Sequence, residues 1–452
     1  MGFAGSLAEV AATLLVAAAV GWAGAGALVP RGVPAERLAW GFAAGLAILT
    51  ASVPLAFALR MPPGWLPFVL LAALTVSLAR LLRIRERASV EKGPSPGALT
   101  WVFLVALAAG VALYGLRALT EPMWANDYLA IWGLKGKTFF AEGGVPQRLF
   151  QWRSLSFSHP EYPLGLPFLY AGIGFLLGRW DDHAMALVFP FVQVATLLAL
   201  FGWLRRRGAA WPLALGVSAL LSHFEPLYRG FTTGMAEVPL SFGLLLLGTS
   251  LCDQVDRTDR GASRRLGLAS LVCAGTKNEG LFFVAAALVV AALSALSRKG
   301  LAARAAAALA LPAALVVAAH RLIRRSLPLR DFDFTLLRKP EALLPRVGES
   351  LATAIHEIPL AAWIGLAALA VLLAVGRPVP AGERLLALAA CGLGAYLLLP
   401  SLAVAGPAWL VRTASFRTIA ALAPLAAAGL AVRLAPLFGT RDTGQGTGEV
   451  GL

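Results

Sequence analysis

Charge is what this chain has least of. Asp, Glu, Lys and Arg make up 14% of its 452 residues, where a soluble domain carries about a quarter. So few charges could not cover the surface of a soluble fold of this length. Acids are scarcer than bases, 24 against 39, for a formal net charge of +15. That excess invites a nucleic-acid reading. The arginines flank apolar runs instead of lining one soluble face, which excludes it. Cysteine is nearly absent. Cys252, Cys273 and Cys391 show neither metal-ligand spacing nor a disulfide framework and read as core residues. No Lys or Arg precedes the first apolar run, so a cleaved signal peptide is not expected.

What the chain has is apolar sequence. Hydrophobic residues make up 58% and mean hydropathy is +0.74. Runs of about 20 such residues predict membrane-spanning helices. They fall near 7–29, 38–59, 64–82, 99–119, 184–204, 209–223, 235–251, 266–275, 279–296, 305–321, 356–375, 385–403 and 417–435. The expected fold is an all-α polytopic membrane protein, a bundle of roughly 13 spans. The 266–275 run is too short to cross alone. It reads as one half of a broken helix whose other half is 279–296. The last residues, 438–452, read as a disordered cytoplasmic tail.

Short basic loops set the orientation. Arg80, Arg83, Arg85, Arg87 and Lys92 form one cluster, and Arg205, Arg206 and Arg207 a second. Arg257, Arg260, Arg264 and Arg265 form a third, and Arg298 and Lys299 a fourth. All four share one side, assigned to the cytoplasm, provided 163–178 does not cross. That segment, with Pro167 and four glycines, then lies at the outer interface or re-enters from it. The loop 120–163 faces outward. Arg321, Arg324, Arg325, Arg330, Arg338, Lys339 and Arg346 fall on the outer side, against the rule.

The outward loop carries the chemistry-bearing residues. A bilayer protein keeps such groups only in water, at the interface or in a lined cavity. Asp127 suits a general base or a metal ligand. Asn126 or Asp127 also suits the N-cap of a helix through Phe140. His159-Pro160-Glu161-Tyr162-Pro163 reads as rigid and extended, since proline keeps its predecessor out of the helical region. A second polar group is His223, Glu225, Tyr228, Arg229 and Glu237. A third is Lys277, Asn278 and Glu279, near membrane depth, where an ion pair between Lys277 and Glu279 is the bland alternative. A fourth is Arg412 and Arg417. Acids with cations on one face suit transfer from a phosphate-bearing donor: cations stabilise the departing phosphate while a carboxylate activates the acceptor.

Three segments carry a family resemblance: Asn126-Asp127-Tyr128-Leu129-Ala130-Ile131-Trp132-Gly133-Leu134-Lys135-Gly136-Lys137, then His159-Pro160-Glu161-Tyr162-Pro163-Leu164, then Thr276-Lys277-Asn278-Glu279-Gly280. The chain resembles GT-C membrane glycosyltransferases of the bacterial RgtA/B/C/D-like and family-39 type. It is more distantly similar to protein O-mannosyltransferases and aminoarabinose lipid A transferases. The resemblance covers about residues 99–435. It implies a catalytic membrane domain over 99–437, with 120–183 as its outer catalytic loop, behind three N-terminal helices and a basic loop in 1–98. It implies sugar transfer from a polyprenyl-phosphate donor to a glycolipid, glycan or protein on the outer face of a bacterial inner membrane, with inversion. By resemblance Asp127 is the base and Glu161 the second catalytic acid. His159, Tyr162, Arg229, Glu237, Lys277, Glu279 and Arg417 are the candidate substrate-binding residues. Asn126 stands where many relatives have another acid, which weakens a two-acid metal site but leaves a divalent cation open. The alternative is a polytopic transporter or lipid flippase, which broken helices at Lys277 would suit.

Overall fold

A computed structural model describes residues 3–29, 33–62, 97–256, 261–294, 299–324, 333–357 and 379–438. The expected span 64–82, nearly all of 356–375 and the tail beyond 438 lie outside these residues. The described chain is helical, and eight of its helices are long and apolar enough to cross a membrane. The count of 13 is therefore not reproduced. The runs near 209–223, 266–275 and 279–296 form helices of 12, 15 and 17 residues. At 1.5 Å per residue these reach about 18–26 Å, short of a hydrocarbon core of about 30 Å.

The helices used below are α1 (Phe3–Leu28), α2 (Pro34–Ala58), α3 (Ala98–Thr120), α4 (Gly133–Glu142), α5 (Gly165–Leu177), α6 (Val188–Arg206), α7 (Trp211–Ser222), α8 (Glu237–Asp256), α9 (Ala262–Thr276), α10 (Asn278–Ser294), α11 (Lys299–Arg324), α12 (Pro340–Glu357), α13 (Pro380–Leu398) and α14 (Ala423–Leu434). Proline in the first turn starts α2, α7, α13 and α14, where its missing N–H costs nothing. α8 is the central column, and nearly every one of its residues is buried. We call the end of the bundle at Glu237 the upper end and the end at Asp253 the lower end.

Side-chain pairs fix the directions. α9 runs antiparallel to α8, because Arg265 meets Asp253 and Lys277 meets Glu237. α11 rises beside α9, with Ser270 Oγ donating to Leu309 O and Gln147 Nε2 to Ile323 O. Only residues 295–298 separate the end of α10 from the lower start of α11, so α10 descends. α9 and α10 thus form a hairpin with Lys277 at its tip, not the expected broken crossing helix. The turn is tight: a Cβ on Gly280 would lie 1.8 Å from Cys273 O. Only glycine permits that approach.

The N-terminal helices belong to the same bundle. α1 and α2 pack antiparallel through small residues, and a Cβ on Gly45 would fall 1.8 Å from Ala17 O. Arg265 donates to Leu28 O, and Glu36 at the start of α2 pairs with Arg206. α5 has 13 residues, about 20 Å, and cannot cross. Its residues Leu166 to Gly174 are buried, and it packs against α2 and α4. Phe57 contacts both Phe168 and Phe175.

Of the basic clusters used to orient the chain, Arg205, Arg206, Arg207 and Arg265 stand at the lower end, opposite Asp127. They are not simply solvated flanks. Arg206, Arg207 and Arg265 all donate to Asp253. The discordant upper-end cations have an explanation at Arg346, which donates to the carbonyls of Ser401 and Ala403 past the end of α13. A cation beside the end of a helix is well placed to donate to carbonyls there.

Candidate functional site

The loop after α3 does not begin as a capped helix. Asp127 has helical backbone angles and makes no capping bond. Tyr128–Trp132 then form a wide π turn before α4, a device that is frequent at functional sites. The wide turn buries the Tyr128 ring edge-on against Tyr170, with centroids 5.6 Å apart. Burial raises the Tyr128 phenol above its ordinary range, so it stays neutral. Asp127, freed from capping, points its carboxylate at Arg417: Nη1 to Oδ2 is 3.0 Å.

Arg417 lies 290 residues further along. It is on the short helix Phe416–Ala420, after a second π turn, Val411–Ser415. The same Nη1 is 3.8 Å from Glu237 Oε1 and donates to Met235 Sδ at 3.5 Å. Glu237 Oε1 also accepts from Lys277 Nζ at 3.2 Å, and Lys277 pairs with Glu279 at 2.9 Å. Lys277 takes extended backbone angles at the end of α9, which turns its side chain out of the helix and toward α8. One ionic chain therefore runs Asp127–Arg417–Glu237–Lys277–Glu279. Its members come from four separate parts of the sequence. Glu237 and Lys277 are 1% and 4% exposed, Arg417 12% and Asp127 24%.

The His159 segment stands on the loop beside Tyr128–Trp132. It is a turn, not the expected extended run. His159 takes a left-handed φ of +48°, and Tyr162 N donates to His159 O at 3.0 Å. A buried lysine accounts for it: Lys135 Nζ donates to the same carbonyl at 2.6 Å. Glu161 is buried and pairs with His159 Nδ1 at 3.0 Å. The His159 ring stacks on Tyr162 at 4.8 Å, and Tyr162 stacks on Trp132 at 5.4 Å. Tyr162 lies within electrostatic reach of Arg417, which joins the two groups.

The remaining expected residues divide. Arg229 and Arg417 both flank the Phe231 ring, at 5.4 and 6.0 Å from its centroid, so Arg229 belongs to the site. Arg412 does not. It is largely exposed and pairs with Glu357. His223 meets Ala106 O on α3. Met235 and Phe231 join the candidate site without being singled out by the sequence, and Lys135, present in the first motif, has no role assigned there. Only Lys135 gave a signal, as one of two lysines in the segment that follows Asp127. Among the described residues no three metal-ligating side chains gather, and Asp127, Glu237 and Glu279 are each engaged by Arg417 or Lys277.

Beside this ionic chain opens an apolar cleft of about 340 Å³. Ala47 and Ala51 of α2, Leu315 and His320 of α11, Leu164 and Thr276 all line it. Leu164 follows the His159 turn directly and Thr276 directly precedes Lys277. The cleft thus begins at the two segments that carry the charged groups. No family model matches the chain, and no curated protein and no solved structure matches it.

Proposed function

We propose that the protein is a membrane glycosyltransferase of GT-C type. It moves a sugar from a polyprenyl-phosphate carrier to a glycolipid, glycan or protein acceptor. We place it in a bacterial inner membrane with the upper end outward. The observation that carries this reading is the ionic chain of Asp127, Arg417, Glu237, Lys277 and Glu279 with an apolar cleft whose lining includes Thr276, next to Lys277. A substrate with a charged head and an apolar tail matches both halves.

In this reading Asp127 takes the proton of the acceptor hydroxyl while that oxygen bonds to the anomeric carbon. The bond from that carbon to the phosphate oxygen breaks, and its electron pair leaves with the prenyl phosphate. Arg417, Lys277 and Arg229 stabilise the departing charge. Attack opposite the leaving group inverts the anomeric centre. Glu161, held by His159, shapes the neighbouring wall, and the stacked Tyr162 and Trp132 support it. The transporter or flippase alternative loses the feature that suggested it, since Lys277 tips a hairpin instead of breaking a crossing helix.

Mass spectrometry of envelope glycolipids and glycans from cells with and without the protein tests the reading. Loss of one sugar residue from one glycoconjugate is expected. Unchanged glycans with altered uptake of a solute would favour transport.

A further inference from the structure

The ionic chain holds three acids, Asp127, Glu237 and Glu279, against two cations, Lys277 and Arg417. Both cations are already engaged, and the group as a whole is acidic. A phosphate brought to it unchanged would meet carboxylates as well as cations. The three acids differ in how they are held. Glu237 is enclosed, with Lys277 on one side and Arg417 on the other, at the start of α8. Glu279 lies on the same hairpin as Lys277. Asp127 is the most exposed of the three, meets Arg417 at 3.0 Å, and precedes a π turn instead of sitting inside a regular helix. Arg417 is in turn more exposed than Lys277. Of these contacts, the Asp127–Arg417 pair is therefore the one a ligand can open. The other guanidinium on Phe231, that of Arg229, pairs loosely with the exposed Glu225 at 3.9 Å and offers a second partner.

We infer that Asp127 is the resident counter-anion of the phosphate site: a phosphate ester takes its place on Arg417, and the carboxylate so released is the one that serves as base. This rests on the glycosyltransferase reading for the role of the base, though not for the exchange itself. It couples the two halves of the reaction. With no donor bound, Asp127 is held by Arg417. With the donor's phosphate on Arg417, the carboxylate is free to accept the hydroxyl proton. Glu237 stays in place and keeps Arg417 and Lys277 together through the exchange.

The exchange predicts an inverted effect of one substitution. Asp127→Asn removes the competing charge, so it should bind phosphate esters more tightly while losing transfer. The test uses the full-length protein in phosphatidylcholine nanodiscs, titrated with farnesyl phosphate, inorganic phosphate or phosphatidic acid. Asp127→Asn and Asp127→Ala should each bind farnesyl phosphate about fivefold or more tightly than wild type, within the ordinary range of coupling between sites. Arg417→Gln should bind it at least tenfold more weakly. Tightening confined to farnesyl phosphate assigns the site to a prenyl carrier. Tightening for all three probes assigns it to the phosphate group alone. Equal or weaker binding by both Asp127 variants would overturn the exchange. Tightening in a protein whose wild type transfers no sugar would leave the exchange standing and sink the glycosyltransferase reading alone.

Discussion

At the upper end of α8, Glu237 sits between Lys277 and Arg417. At the lower end, Asp253 accepts from Arg206, Arg207 and Arg265 at 2.5, 2.8 and 2.7 Å. Both clusters are buried ionic groups at the two ends of one helix, yet they are built differently. The lower one is saturated. Arg206 also pairs with Glu36 at 2.8 Å, and Asp256 takes Arg207 and Arg384. It ties α2, α6, α8, α9 and α13 together, with cations outnumbering acids. The upper one is graded, from enclosed Glu237 out to the more exposed Asp127, with acids outnumbering cations. Burial of charge alone does not mark a functional site, because both ends have it. The gradient of exposure and the adjoining cleft distinguish the upper cluster.

The comparison can be broken most sharply at Asp253. Asp253→Asn leaves three guanidiniums short of an acid, and losing one partner of a buried pair costs about 3–5 kcal/mol. Thermal unfolding in detergent measures it, and a loss under about 1 kcal/mol would mean that the lower cluster is no clamp. Asp127→Asn should do the opposite. Transfer should fall by about 10²–10⁴, the usual contribution of a general base. Unfolding should change by no more than about 1 kcal/mol, as for a partly exposed pair. Ala51→Phe places a ring in the cleft without touching either cluster. Transfer from a lipid-linked donor should fall on the order of tenfold, equivalent to about 1.4 kcal/mol, and kinetics across donor concentrations would show whether that loss lies in binding. Arg412→Ala is the smallest. Its pair with Glu357 is exposed on both sides, so both activity and stability should stay within about 0.5 kcal/mol.

The site was legible in the sequence as a set of residues and not as a contact map. Charge is expensive in an apolar chain, which is why Asp127, Glu237, Lys277, Glu279 and Arg417 stand out. That Arg417 would meet Asp127 across 290 residues is a property of the packed bundle, and no local spacing encodes it. The lower cluster was missed for a related reason. Its arginines read as flanking charges, while Glu36, Asp253 and Asp256 fall near helix ends and look like ordinary surface acids. Among the described residues the span count is not reproduced, because apolar runs near 209–223, 266–275 and 279–296 form helices shorter than a hydrocarbon core. An apolar run alone does not distinguish a short helix from a crossing one. His159 defeated the proline rule because a lysine from another turn, Lys135, holds its carbonyl in place.

Reconstituted transfer tests the role of Asp127 most directly. Purified protein in liposomes, supplied with a prenyl-phosphate sugar and an envelope glycolipid or glycan fraction, should release prenyl phosphate and a glycosylated product of inverted anomeric configuration. Asp127→Asn, folded to the same stability, should release almost none. Full turnover by Asp127→Asn, or retained configuration in the product, would contradict a mechanism in which Asp127 is the base and Arg417 receives the phosphate.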